Sequence, residues 1–88
     1  MNKTLLVVDD DLPFRERLSR SMEKKGFKVK SAESFSLASE IIQSNTYDYA
    51  IVDMRLSDGS GLELIKIIQN KSPSTKSLLL TGYGNIAT

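Results

Sequence analysis

Three short apolar runs in this chain are each followed by a carboxylate or a hydroxyl side chain. Residues 5–8 precede three successive aspartates, and residues 49–52 precede Asp53. Residues 78–80 are three leucines followed by Thr81. Uninterrupted apolar runs of this length are typical of strands buried on both faces of a parallel sheet. Residues 27–31 alternate instead between apolar and polar side chains, a pattern that predicts a strand with one wetter face.

The segments between these runs have helical periodicity. Asp11 is a candidate N-cap with Pro13 in the first turn, and Gly26 is a typical stop. Ser34 or Ser36 can cap a second helix. The apolar periodicity of residues 62–69 predicts a third helix. The apolar positions expected to face the core are Phe14, Leu18 and Met22 in the first helix, Ala38, Ile41 and Ile42 in the second, and Leu64, Ile65 and Ile68 in the third.

The order of elements is therefore strand and helix in alternation, ending with a fourth strand at residues 76–81. Residues 82–88 form a loop that is expected to begin a fourth helix. Such alternation predicts an α/β fold with a doubly wound parallel sheet, right-handed crossovers and helices on both faces. The sequence shows no internal linker or repeat, so one small domain is expected.

Composition narrows the chemistry. The chain has 88 residues, a net charge of +1, no cysteine and no histidine. Near-neutral charge gives no polybasic surface for nucleic acid or anionic lipid. Disulfides, thiolate metal sites and histidine-based catalysis are excluded within these residues. Neither a signal peptide nor a membrane span is predicted, and a cytoplasmic setting is expected.

The polar residues after the strands form a candidate site. In a parallel sheet, the carboxyl ends of the strands meet at one edge, so Asp9, Asp10, Asp53 and Thr81 are expected to lie together. Clustered carboxylates repel one another unless a cation joins them, and hard oxygen ligands select magnesium or calcium. A carboxylate can also attack phosphorus and hold an acyl phosphate.

Taken singly, each of these residues also has a plain structural interpretation. Asp10 alone could be a helix cap, and Thr81 alone could be a turn residue. Asp58 precedes a glycine and is expected to be a turn residue rather than a ligand. The joint placement of the candidates after successive strands is what favours a functional site.

Three stretches of the chain resemble the motifs of response-regulator receiver domains. Residues 6–11 (Leu-Val-Val-Asp-Asp-Asp) are similar to the family's first strand and acidic pair. Residues 51–56 (Ile-Val-Asp-Met-Arg-Leu) and 58–65 (Asp-Gly-Ser-Gly-Leu-Glu-Leu-Ile) are similar to the segment around its phosphoacceptor. Residues 78–82 (Leu-Leu-Leu-Thr-Gly) are similar to its switch-hydroxyl strand. Residues 1–88 are thus expected to be a partial receiver with an incomplete flavodoxin-like (CheY-like) fold.

The resemblance implies a role for each matching residue. Asp53 would be the phosphoacceptor, and Thr81 would bind the phosphoryl group as the switch hydroxyl. The backbone of Gly82 would contact the same oxygens. The residues implied to hold Mg²⁺ are Asp9, Asp10, Asp53 and the main-chain carbonyl of Arg55.

The same resemblance implies partners and a mode of action. A sensor histidine kinase would donate the phosphoryl group, and the chain would assist its own phosphorylation without being a turnover enzyme. Residues 81–88 further resemble the redox and photosynthesis regulators of the RegA/PrrA/ActR type. Those proteins carry a carboxyl-terminal helix-turn-helix that is absent from this sequence, so direct DNA binding by these residues is not expected.

Receivers also carry a lysine and an aromatic residue on a fifth strand that this sequence lacks. Lys76 precedes the fourth strand and Tyr83 follows it, so neither replaces those residues. Without the fifth strand, the fourth is expected to be an unprotected edge that could support self-association. On the face beside the first helix, apolar side chains of the first, third and fourth strands are expected to be exposed to water.

Three alternatives remain open on the sequence. Gly82, Gly84 and Ala87 fit the dinucleotide-binding spacing, although after the fourth strand rather than the first. Asp9 and Asp11 fit the nucleophile and acid of an aspartate phosphatase, which leaves Asp53 unexplained. A degenerate receiver that acts only as a protein-interaction module is the third.

Overall fold

The predicted alternation of strands and helices is present. The computed structural model describes residues 3–81 and the backbone of residues 86–87. The strands are β1 Lys3–Val8, β2 Phe27–Ala32, β3 Tyr49–Asp53, β4 Arg55–Leu56, β5 Gly59–Ser60, β6 Lys76–Leu80 and β7 Ile86–Ala87, and the helices are α1 Leu12–Lys24, α2 Phe35–Ser44 and α3 Gly61–Lys71. None of the described helices has both the length and the apolar character that crossing a bilayer requires.

The main sheet has the strand order β2-β1-β3-β6-β7. Its first four strands are parallel, and β1 lies between β2 and β3. In the register of these strands Val8 pairs with Val52, and Asp53 pairs with Leu80. The carboxyl ends of β1, β3 and β6 therefore meet at one edge, as the fold class predicts.

Local signals in the sequence explain where the helices begin and end. The Asp11 side chain accepts a hydrogen bond from the Phe14 N–H at 3.4 Å, which confirms it as the cap of α1. Gly26 has a φ of +99°, a conformation that favours glycine after a helix. Of the two serines considered for α2, Ser34 is the cap, and its hydroxyl accepts from the Leu37 N–H at 3.0 Å.

One face of the sheet carries a fully covered core. Helices α2 and α3 pack there side by side, and Leu64 of α3 is completely buried. The buried side chains of this face are Leu6, Val8, Ala32, Ala38, Ile42, Ala50, Val52, Leu56, Leu64 and Ile68. Alternate residues of β1 and β3 point to this face, which is why both strands are apolar throughout.

Among the described residues, α1 is the one helix that covers the opposite face. Its buried side chains are Leu5, Val7 and Ile51, at most 9% exposed, so the expectation that the first and third strands would be wet is wrong. Leu18 of α1 packs over them, but no residue of α1 is fully buried. Leu78 of β6 lies at the margin of this cluster and is only half-buried. The second face is thus less completely covered than the first.

The end of the chain differs from the prediction. Residues 86–87 do not begin a fourth helix but form β7, which pairs antiparallel with Leu79 and Leu80 of β6. The predicted open edge of the fourth parallel strand is therefore wrong for Leu79 and Leu80, and the expected self-association through this strand stays a prediction. Residues 82–85 and 88 lie outside the described residues.

The unequal faces predict unequal costs for the same substitution. Leu64→Ala should destabilise the chain by about 2–5 kcal/mol, because it opens a cavity in a closed core. Leu18→Ala should cost less than about 2 kcal/mol, because its half-buried site can refill with water or collapse. Urea denaturation of both variants measures the difference. Equal losses would contradict the asymmetry.

Candidate metal centre

Three carboxylates meet at the carboxyl edge of the sheet. Asp9 and Asp10 follow β1, and Asp53 is the last residue of β3. Because these strands are paired neighbours, one carboxylate oxygen from each residue lies within 4.8 Å of the others. The predicted convergence of Asp9, Asp10 and Asp53 is therefore present.

The environment of the cluster disfavours its negative charge. Burial raises the pKa of Asp9, which is 6% exposed, although a backbone N–H opposes this and the charges of Asp53 and Asp10 add to it. Burial is also the main cause that raises the pKa of Asp53, with the charge of Asp10 adding to it. A divalent cation would relieve both the desolvation and the repulsion.

Backbone hydrogen bonds fix Asp9 at the end of β1. Its N–H donates to the Ala32 carbonyl of β2 at 3.1 Å, which extends the sheet by one residue. Its carboxylate accepts from the Asp11 N–H at 2.9 Å, and its carbonyl accepts from the Arg15 guanidinium at 2.8 Å. Asp9 is thus the rigid, buried member of the cluster.

The chain around Asp53 is held by close backbone packing. The N–H of Met54 donates to the Leu80 carbonyl at 2.7 Å, and the N–H of Gly61 donates to the Met54 carbonyl at 2.9 Å. A Cβ at position 61 would lie only 1.9 Å from the carbonyl oxygen of Asp53, so this approach requires glycine. The Asp53 side chain remains half-exposed, and its Oδ1 accepts from the Arg55 N–H at 3.4 Å.

A two-stranded hairpin formed by β4 and β5 lies beside the cluster, and the predicted turn at Asp58 is its tip. Its tip carries Ser57, which donates two hydrogen bonds to Asp10, and Asp58, which binds the start of α2. Sequence reasoning missed both contacts. A serine or an aspartate in a polar turn has no periodicity or spacing that indicates its distant partner.

The remaining predicted site residues lie at or beyond the same edge. Thr81 directly follows Leu80, the residue paired with Asp53, and is half-buried. Arg55 is the first residue of β4, two positions after Asp53. Gly82 lies outside the described residues, so its predicted phosphoryl contact stays a prediction.

The donor set fits a hard divalent cation. Asp9, Asp10 and Asp53 offer carboxylate oxygens only, and the whole chain has no histidine or cysteine to favour a softer metal. Mg²⁺ takes one or two carboxylates and keeps several waters, which suits a cluster at an open edge. Because Asp11 is engaged as the cap of α1, the alternative of a phosphatase acid at that position has no support.

The pKa directions predict an unusual pH dependence without metal. The pKa of Asp9 and Asp53 is raised in the folded chain, so stability should increase as pH falls from neutrality towards their ordinary value of 3.8. Asp48 and Asp58 have a lowered pKa, so the stability they contribute should be lost below 3.8. Melting temperatures measured in the presence of a chelator, from neutral pH to below 3.8, test both the gain in stability above pH 3.8 and the loss below it.

Asp53→Asn tests the predicted gain in stability between neutral pH and pH 3.8. It should raise the melting temperature at neutral pH and reduce the gain on mild acidification, because it removes one repelling charge. Asp48 is bonded to Thr4 near the start of β1, so Asp48→Asn should leave the gain in stability above pH 3.8 unchanged. A lower melting temperature for Asp53→Asn at neutral pH would contradict this.

Comparison with known proteins agrees with this geometry. Residues 5–88 match the family model of the response regulator receiver domain. The chain is 45% identical over 87 residues to the photosynthetic apparatus regulatory protein RegA of Rhodobacter capsulatus, covering 99% of this chain and 47% of that protein. It is 47% identical to the acid tolerance regulatory protein ActR of Rhizobium meliloti, covering 99% of this chain and 45% of that protein. The chain thus spans just under half the length of these relatives.

Solved structures show the same fold. A response regulator from Burkholderia pseudomallei with a phosphorylated aspartic acid, calcium ion and citrate is 33% identical, with a TM-score of 0.87 over 93% of this chain and 48% of that one. The response regulator TrrA of Thermotoga maritima in complex with Mg²⁺-BeF is 36% identical, with a TM-score of 0.85 over 92% of this chain and 70% of that one.

TrrA in complex with the histidine kinase ThkA is 35% identical, with a TM-score of 0.84 over 94% of this chain and 72% of that one. The α/β fold and the strand order agree with the match to the receiver family model, which covers nearly all residues. The chain belongs to the response regulator receiver domain family.

Proposed function

We propose that this chain is the phosphoacceptor part of a phosphorelay response regulator. In this proposal, Asp53 accepts a phosphoryl group from a phosphohistidine of a sensor histidine kinase. The observation that carries the proposal is the half-exposed Asp53 carboxylate, whose oxygen lies within 4.8 Å of those of Asp9 and Asp10 at the carboxyl edge of the sheet. Residues 1–88 would form a partial receiver domain.

The reaction asks little of the protein beyond alignment and charge neutralisation. An oxygen of Asp53 would form a bond to phosphorus while the phosphorus–nitrogen bond of the phosphohistidine breaks. The nitrogen keeps the electron pair and takes up a proton from solvent, and the phosphoryl group remains as an acyl phosphate. Because nothing is released from the chain in this step, it is a stoichiometric acceptor that assists its own modification.

The cluster would hold Mg²⁺ through the carboxylates of Asp9, Asp10 and Asp53 and the main-chain carbonyl of Arg55. The cation would neutralise negative charge on the phosphoryl oxygens during transfer. Support comes from the oxygen-only donor set and from relatives that were solved with calcium or with Mg²⁺-BeF.

Thr81 and Gly82 complete the proposed phosphoryl pocket. The pairing of Leu80 with Asp53 supports Thr81 in this role, since the next residue of the strand follows at the edge where Asp53 ends. The hydroxyl of Thr81 would donate to a phosphoryl oxygen and shift β6 when the group arrives. The Gly82 backbone would bind the same group.

The partner and setting follow from the family. The complex of TrrA with a histidine kinase supports a sensor kinase as the partner of this chain. We place the chain in the cytoplasm and assign it no DNA contact of its own, so any regulation of transcription would require further protein segments. Arg15 of α1 is bonded to the Asp9 carbonyl, so α1 lies beside the acidic cluster. In this proposal, the kinase would contact the surface of α1.

Magnesium should stabilise the chain before any phosphorylation. Its binding relieves repulsion among the carboxylates, so the melting temperature should rise with Mg²⁺ concentration. Calcium or manganese should substitute in part. Asp10→Asn should blunt the rise, whereas Asp48→Asn should not. An undiminished response in Asp10→Asn would move the site elsewhere.

Phosphorylation should occur at Asp53 alone. Incubation with acetyl phosphate and Mg²⁺, followed by borohydride trapping and mass spectrometry, should label Asp53 in the wild-type chain and in the Asp48→Asn control. Asp53→Asn should carry no label. Label at Asp9 would contradict the assignment, and a folded chain that binds Mg²⁺ but takes no label would favour the interaction-module alternative.

A further inference from the structure

The hairpin of β4 and β5 is tied to the rest of the molecule on two sides. Ser57 and Asp58 sit next to each other at its tip. Ser57 contacts the metal cluster through Asp10, and Asp58 contacts the first residues of α2. The hairpin therefore links the helix to the cluster, although neither of its tip residues belongs to the cluster itself.

Ser57 holds one oxygen of Asp10. Its N–H donates to Asp10 Oδ2 at 3.1 Å, and its hydroxyl donates to the same oxygen at 2.7 Å. Within residues 3–81, Oδ1 of Asp10 accepts no hydrogen bond and is available to a cation. Asp10 is the exposed carboxylate of the cluster, so the repulsion from Asp9 and Asp53 would otherwise push it towards solvent.

Asp58 fixes the hairpin on α2. Its carboxylate accepts from the N–H of Phe35 at 2.8 Å and from the N–H of Ser36 at 3.0 Å, so an anion caps the positive end of the helix. A Cβ on the adjacent Gly59 would lie 2.7 Å from the Phe35 ring, which shows how closely the hairpin sits on the helix. The position of Ser57 is therefore set by α2.

We infer that Ser57 is a positioning residue for Asp10, and that Asp58 holds Ser57 in place from α2. Two donors on Oδ2 keep the Asp10 carboxylate in the cluster and leave its other oxygen for the cation. The inference rests on the proposed function, since it concerns the same metal site. Hydrogen-bond partners of ligating carboxylates typically change metal affinity by about 10–100-fold.

The test compares Ser57→Ala with Ser60→Ala in the chain of residues 1–88. Ser60 is in the same hairpin and makes no side-chain cap bond to α3, so it is a matched control. Mg²⁺ affinity is measured by calorimetry or NMR titration without a phosphodonor. Ser57→Ala should bind about 10-fold more weakly, whereas Ser57→Thr and Ser60→Ala should bind as the wild type does. Metal-free melting temperatures of the serine variants should stay close to that of the wild type.

Asp58→Ala tests the link to the helix. It should also weaken Mg²⁺ binding, and the double variant with Ser57→Ala should lose less than the product of the two single losses. Equal affinity in the wild type and Ser57→Ala would overturn this inference and leave the proposed function standing. A folded wild-type chain that binds no Mg²⁺ would overturn both.

Discussion

The parallel pairing of β1 with β3 is the constraint on which the site depends. It sets Val8 beside Val52, so the aspartates that follow these strands meet although 43 or 44 positions separate them in the sequence. Three carboxylates within 4.8 Å repel one another, and the partial burial of Asp9 and Asp53 adds to the cost. The fold holds this arrangement against its own electrostatics, and a divalent cation at the cluster would reduce the repulsion.

Each of the three aspartates is held in the cluster by different contacts, which oppose the repulsion between them. Asp9 is fixed by the extension of the sheet to Ala32 and by the start of α1. Asp53 is fixed through its backbone, which Gly61 approaches more closely than a side chain would permit. The Asp10 carboxylate accepts two hydrogen bonds from Ser57 of the hairpin, and Asp58 of the same hairpin is bonded to α2. These hydrogen bonds connect the start of α2 to the acidic cluster through the hairpin.

The two faces of the sheet explain how the strands stay in place. The closed core under α2 and α3 completely buries Leu6, Val8 and Val52, and the two valines directly precede Asp9 and Asp53. The face under α1 buries Leu5 and Val7 but not the whole of β6. The better-packed side of the sheet at the site is thus the face under α2 and α3, whereas Leu78 and Leu80 of β6 are only half-buried on the other face.

The sequence by itself determined the four parallel strands, the three helices, the fold class and the three aspartates. Apolar runs, caps such as Asp11 and the position of polar residues after strands are local signals, and parallel sheets place strand ends at one edge. Tertiary structure alone decided the roles of Ser57 and Asp58, the pairing of β7 with β6 and the unequal cover of the two faces. Ser57 lies 47 positions from Asp10, and Asp58 lies 23 positions from Phe35. Contacts at such separations depend on how hairpin and helix pack, and the periodicity of a single sequence does not encode that packing.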